Sequence, residues 1–310
     1  MFSVIFPGQG SQSVGMAKKL YNKYSFVKEL FKQSDEILGL SISKMILDGP
    51  KEHLDLTENT QPAIFLVSYC IYQMIKTETE KNLNKAKFFA GHSLGEYSAL
   101  AAAESITYEQ ALKLLKIRGR SMQSAVPKGE GGMLAVLGTN VTNIKEILNN
   151  NYKKYQCFIA NDNSIGQIVV SGKTNDISLF ADDLKKAKIK NIKLQVSAPF
   201  HCKLMSPATE IMKKEIDKLE FKDSKNNIVA NVTSQEVHKA DEIKRLLISQ
   251  IESPVRWRES ILYMIEKGTK TFVEIGPGKV LSGMIKRIDK NVNVVSINES
   301  EDLNKLEIND

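Results

Sequence analysis

The segment of this chain most suited to chemistry is Gly91-His92-Ser93-Leu94-Gly95, a G-x-S-x-G element. A serine on a sharp strand-to-helix turn has a strained backbone, and only small neighbours leave its Oγ exposed. The context fits: a buried strand, Ala86 to Ala90, precedes the element, and alanine-rich Glu96 to Glu104 follows it as a strong helix former. At such a helix N-terminus, free N–H groups and the helix dipole stabilise an oxyanion. The competing reading is a helix cap, because Ser93-x-x-Glu96 also matches a capping box. A cap, however, gives no reason for glycine on both sides of the serine.

A serine nucleophile needs a base. The four histidines are His53, His92, His201 and His238. His92 is adjacent to Ser93 and points away from it, while His53 and His238 lie in charged segments. His201 follows Ala198-Pro199-Phe200, and the alternative for it is an incidental loop histidine. Cys202, beside His201, lacks an activating turn and makes a weaker nucleophile. Arg118 is either a helix-face arginine paired with a nearby acid or a guanidinium gripping a carboxylate through two charge-assisted bonds.

The elements that must position these groups follow from pattern. Phe2 to Phe6 is an apolar run stopped by Pro7-Gly8, as in a buried strand. Helical patterns cover Gly15–Tyr24, Phe26–Leu38 and Gln61–Ile75, and the strand 86–90 comes next. This alternation predicts a largely parallel α/β sheet. The middle changes character: strand 132–138, helix 141–150, strand 156–160, strand 167–171, helix 174–186 and strand 191–197. That β-α-β-β-α-β order is the ferredoxin-like split unit. The expectation is a small inserted domain over 127–198 and a larger domain built from 1–126 and 199–310. The larger one resumes with strand 228–231, helices 241–251 and 255–267, strand 271–275, and a last helix and strand.

Composition narrows the function classes. The 310 residues are 42% hydrophobic and 25% charged, as in an ordinary globular protein. Forty-three Lys+Arg against 36 Asp+Glu leave a net charge of +7, which favours an acidic partner. Lys185, Lys186, Lys188, Lys190 and Lys193 read as a solvated helix end rather than a nucleic-acid patch. Three scattered cysteines imply no disulfide framework, and no Cys/His spacing suits zinc. The N-terminus has no charged lead-in typical of a signal peptide. The longest apolar stretch, 63–75, is too short for a membrane span. A cytoplasmic protein is expected by elimination.

Assembled, these pieces resemble the malonyl-CoA:acyl carrier protein transacylases of bacterial fatty acid synthesis, over essentially the whole length. Phe6-Pro-Gly-Gln-Gly-Ser-Gln12 matches that family's opening signature. Thr60-Gln-Pro-Ala63, Gly91-His-Ser-Leu-Gly-Glu-Tyr-Ser-Ala99 and Ile117-Arg-Gly119 follow in family order. Asn163-Ser-Ile-Gly-Gln167, Pro199-Phe-His-Cys202, Asn231-Val-Thr-Ser234 and Glu274-Ile-Gly-Pro-Gly278 complete the set. Ile165 departs from the family's usual proline.

The resemblance implies that Ser93 accepts the acyl group and that His201 is its base and acid. It implies that the backbone carbonyl of Gln250 orients His201 in place of a triad carboxylate, and that the N–H groups of Gln9 and Leu94 form the oxyanion hole. Arg118 would hold the malonyl carboxylate. Leu94 and Phe200 resemble malonyl-selective enzymes, methylmalonyl-selective relatives tending to carry Gln and Ser there. The implied fold is an α/β-hydrolase-like large domain with a ferredoxin-like insert. The implied substrates are malonyl-CoA and the phosphopantetheine thiol of an acidic acyl carrier protein, with no permanently bound cofactor, no metal, no nucleic acid and no membrane. A monomer is expected, with a pH profile governed by one group near neutrality. Two other functions fit the bare motifs: a serine esterase or thioesterase using water, and a catalytically silent subunit that only docks carrier protein.

Overall fold

A computed structural model describes residues 1–196 and 198–308. In chain order its first elements are β1 (Phe2–Phe6), α1 (Lys18–Lys23), α2 (Ser25–Leu38), α3 (Ile42–Asp48), α4 (Lys51–Leu54), α5 (Thr57–Glu78), β2 (Phe88–Gly91), α6 (Gly95–Ala102) and α7 (Tyr108–Ser124). The middle holds β3 (Gly131–Leu137), α8 (Val141–Asn150), β4 (Cys157–Ser164), β5 (Gln167–Lys173), α9 (Thr174–Lys186) and β6 (Lys190–Lys193). There follow α10 (Ser206–Asp217), β7 (Asn227–Val229), β8 (Glu236–Val237), α11 (Ala240–Gln250), α12 (Trp257–Glu266), β9 (Thr271–Ile275), α13 (Val280–Ile288) and β10 (Asn293–Ile297).

Six strands form one sheet in the order β10-β9-β1-β2-β7-β8, parallel throughout except for the edge pair β7–β8. Side-chain alternation sends Val4, Phe6 and Phe89 into one core with α2, α5 and α7. Ile5, Phe88 and Ala90 enter a second core with Trp257, Ile261, Leu281 and Ile285. Apolar layers therefore cover both faces, which is why β1 and β2 read as apolar runs broken only by Ser3, whose hydroxyl pairs with Thr269. A separate four-stranded antiparallel sheet, in the order β4-β5-β3-β6, packs α8 and α9 on its own core of Leu134, Val136, Ile168, Val170 and Phe180.

The two sheets are tied together. Arg258 of α12 grips the carboxylate of Asp162 on β4 with three N–H bonds of 2.8–3.1 Å. Around this pair, Val255 N–H donates to Ala160 O and Asp162 N–H to Val255 O, stitching β4 to the chain ahead of α12. Gly131 is where the junction is tightest, since a Cβ there would lie 2.2 Å from Pro199 Cδ.

Several expectations need correcting. The helix expected from Gly15 starts only at Lys18, because Gly15 and Ala17 have φ of 84° and 62° and break it. β6 ends at Lys193 rather than running on to 197; Leu194 N–H still pairs with Met133 O before the chain leaves the sheet. Ser197, the end of that expected strand, lies outside the described residues, as do 309–310, so the 127–198 and 199–310 expectations are described only in part. Helices α3, α4 and α10 lie outside the helical patterns read from the sequence, and α7 has only the helix-face reading of Arg118 to foreshadow it. The lysine cluster lies at the exposed end of α9 and along β6, where Lys185 and Lys186 pair with Asp182 and Asp183. No described helix is long and apolar enough to cross a membrane.

Candidate active site

The turn from β2 into α6 holds Ser93 at φ 54°, a left-handed conformation costly for any residue with a side chain. The flanking glycines are dictated by contact. A Cβ on Gly91 would sit 1.9 Å from the Gly95 backbone, and one on Gly95 would sit 2.4 Å from Phe6 O. The capping reading does not hold: no side chain caps α6, and Glu96 turns away from Ser93 N–H, which donates instead to Asn231 Oδ1 at 2.7 Å.

Ser93 Oγ lies 2.8 Å from His201 Nε2. His201 is also left-handed, at φ 58°, and almost wholly buried. With Nδ1 protonated it donates to the Gln250 carbonyl at 2.9 Å, which leaves Nε2 free to accept from the serine. Burial, with the Arg118 cation adding to it, pushes His201 down to about 3. The imidazole is therefore neutral, with Nε2 unprotonated, throughout the neutral range, and the expected inflection near neutrality is not a property of this histidine at rest.

Arg118 projects from α7 into the same space, fully buried. Its Nη1 donates to Gln61 Oε1 and its Nη2 to Gln250 Oε1, both at 2.8 Å, and Nη2 also reaches Ser93 Oγ at 3.2 Å. Nε has no partner among the described residues, and the Tyr97 ring lies 5.7 Å from the guanidinium. Gly119 makes this reach possible. A Cβ there would stand 2.5 Å from Thr57 O, so only glycine lets α7 press onto the start of α5, where Gln61 sits. A cationic fork whose neighbours are neutral amides, beside a serine hydroxyl, is suited to a carboxylate-bearing acyl group.

Behind the serine runs a polar network. Gln250 Nε2 donates to Ser93 O at 3.0 Å and to Glu96 Oε2 at 2.9 Å. Asn231 N–H donates to Glu96 Oε2 at 3.0 Å, and Asn231 Nδ2 to Gly91 O at 2.7 Å. Glu96 is buried, and desolvation raises it to about 7 against the pull of these donors and of Arg118.

Ser93, His201 and Arg118 face one cavity of about 120 Å³, with Gln9, Gln61, Met122, Met133, Asn161, Leu194, Val196, Phe200 and His92 completing its wall. Gln250 lies immediately behind, and Leu94 is buried at the start of α6. His92 pairs with Asn163 Oδ1 at 2.8 Å and edges onto Trp257. His53 and His238 are exposed. Cys202 is buried, its thiol donating to Pro199 O at 3.0 Å and pushed up to about 11, which makes it no nucleophile at neutral pH. Sequence reasoning missed Gln61, Glu96 and Asn231 as parts of the site. Each stood inside a quoted motif, but their shared partners arise only in three dimensions. Among the described residues, no group of three or more His, Cys, Asp or Glu could hold a metal ion.

The acyl transferase domain family matches residues 3–301. A malonyl CoA-acyl carrier protein transacylase of Bacillus subtilis is 40% identical over 299 residues, covering 96% of this chain and 93% of the relative. Among solved structures, an acyl-carrier-protein S-malonyltransferase from Bartonella henselae superposes with a TM-score of 0.95 at 37% identity, covering 98% of this chain and 97% of that one. A malonyl-transacylase solved in complex with its type II polyketide acyl-carrier protein reaches 0.94 at 34% identity, covering 98% of each chain.

Proposed function

We propose malonyl transfer for this chain, which belongs to the acyl transferase family: a malonyl group passes from malonyl-CoA to the phosphopantetheine thiol of an acyl carrier protein, supplying malonyl-carrier protein for fatty acid synthesis. The observation that carries the catalytic reading is one oxygen, Ser93 Oγ, held 2.8 Å from His201 Nε2 and 3.2 Å from Arg118 Nη2.

In the first half-reaction Ser93 Oγ bonds to the thioester carbon while its proton passes to His201 Nε2. The backbone N–H groups of Gln9 and Leu94 receive the oxyanion. Collapse breaks the C–S bond, and the departing thiolate of coenzyme A takes the proton from His201. In the second half the pantetheine thiol gives its proton to His201, its sulfur attacks the malonyl-serine ester, and Ser93 Oγ leaves with that proton. The Gln250 carbonyl supports the imidazolium in both halves through its bond to Nδ1, so the base is oriented by a neutral dipole. Arg118 holds the malonyl carboxylate, and Phe200 with Leu94 bounds the acyl end.

The finer architecture we propose is an α/β-hydrolase-like domain over 1–126 and 199–310, with a ferredoxin-like insert over 127–198. Its support is the β-α-β-β-α-β order and the all-antiparallel arrangement β4-β5-β3-β6. A carrier protein is supported as partner by the related complex and by the +7 charge, carrier proteins being acidic. A cytoplasmic monomer is part of this reading. No permanently bound cofactor enters this reading.

Intact-mass analysis after incubation with malonyl-CoA tests the function. A malonyl adduct that carrier protein discharges is the expected result. Release of free malonate without an adduct would make the chain a thioesterase, and no reaction would make it a silent binder.

A further inference from the structure

Glu96 is a buried acid that the transfer itself does not use. One of its oxygens, Oε2, anchors two residues. Asn231, held through its N–H, binds Ser93 N–H and Gly91 O; Gln250, held through Nε2, binds Arg118 Nη2 with Oε1 and His201 Nδ1 with its carbonyl. Arg118 and Glu96 are therefore joined through a single amide, by bonds of 2.8 and 2.9 Å. The titratable groups around the pair are Tyr97 from α6, His201 from the loop after β6 and His92 of the elbow. Tyr72 of α5 donates to Ala102 O at the far end of α6. Among these described groups Glu96 is the only acid, and Arg118 the only fixed cation. With Glu96 ionised the resting cluster is neutral overall.

We infer that Glu96 is the resident counter-ion of Arg118, and that a malonyl carboxylate docking on Arg118 takes over this role while Glu96 binds a proton from solvent. The inference rests on the malonyl reading above. Its physical basis is charge conservation in a dry site: two carboxylates and one guanidinium would leave a net buried anion, which desolvation opposes strongly. Uptake of one proton restores neutrality. Burial already brings Glu96 close to protonation, having raised it to about 7. A neutral acetyl thioester brings no second anion and calls for no proton.

Calorimetry of malonyl-CoA and acetyl-CoA binding to the Ser93→Ala protein, repeated in buffers of different ionisation enthalpy, counts the protons. At about pH 8, a unit above Glu96's value, malonyl-CoA should take up close to one proton, and acetyl-CoA none. Glu96→Gln keeps the side chain's size and an accepting oxygen and should abolish the uptake. A contribution from His201 is distinguishable because it would appear only in acid and survive Glu96→Gln. In the unmodified enzyme, KM for malonyl-CoA should rise up to about tenfold per pH unit above about pH 7, and KM for acetyl-CoA should not. Uptake at pH 8 that survives Glu96→Gln, or no uptake and a flat malonyl KM, overturns the counter-ion role. Malonyl-CoA binding no tighter than acetyl-CoA at about pH 6, where Glu96 is already protonated, would sink the malonyl reading instead.

Discussion

Arg118→Ala separates substrate choice from catalysis. In the resting site the guanidinium donates to Gln61, Gln250 and Ser93, with Nε unpartnered, so a bound carboxylate can take two charge-assisted bonds from it at the cost of little more than the long contact to Ser93. At about 1.5–3 kcal/mol for each hydrogen bond to a charged group, the clamp contributes about 3–6 kcal/mol. Every 1.36 kcal/mol is tenfold, so malonyl transfer should fall by about 10²–10⁴. Part of the loss will be shared by all substrates, because the alanine also strips Gln250 Oε1 of its donor, and Gln250 orients His201. The informative quantity is therefore the ratio of kcat/KM for malonyl-CoA to that for acetyl-CoA, measured in wild type, Arg118→Ala and Arg118→Lys. The ratio should collapse in the alanine variant and recover only partly with lysine, whose ammonium cannot reproduce the fork. Stability should drop too, by about 1–3 kcal/mol for each of the two amide oxygens left bare, which thermal unfolding reads independently. Equal losses for the two substrates would refute the clamp and leave Arg118 as a strut for Gln61 and Gln250.

Three further outcomes follow from the same geometry. Ser93→Ala should eliminate the malonyl adduct in intact-mass analysis while near-native circular dichroism persists; labelling at the wild-type rate would exclude Ser93 as nucleophile. For His201, burial and Arg118 depress the folded value to about 3 from 6.5, so the stability it confers is full above 6.5 and is lost as pH falls towards 3. Acid unfolding of wild type should accordingly be steeper over that window than that of His201→Gln, and acetyl-CoA kcat/KM should show no His201 inflection between about pH 6 and 8; a neutral-pH inflection that vanishes in the variant contradicts this environment. Gly119→Ala should cost about 1–3 kcal/mol of stability by overpacking against Thr57 O, and lower malonyl transfer more than acetyl transfer by lifting Arg118 away from Gln61. Unchanged stability and an unchanged ratio would show that α7 can yield there.

Much of this protein is set by local sequence. The glycines of the elbow, the strand runs Phe2–Phe6 and 86–90 (the latter observed as Phe88–Gly91), and the β-α-β-β-α-β rhythm of the middle depend on backbone sterics and periodicity over a few residues, so they read directly from the chain. Helix α8 and helix α9 came out at their observed bounds for the same reason. The helix bearing Arg118 carries a local start signal as well, the capping box of Thr107 and Gln110. Other features have no local signature at all. That Ser93 meets His201, 108 residues further on, is settled only when the chain returns from the second sheet and the Gln250 carbonyl receives the His201 ring. The roles of Gln61, Asn231 and Glu96 exist only because α5, α6, α7, α11 and the turn after β7 converge on one dry space. Burial there also inverts the ordinary acid–base order, holding His201 neutral down to about 3 and lifting Glu96 to about 7. Residue type and spacing determined which groups could react; desolvation and the placement of one cation, both products of packing, decided their protonation.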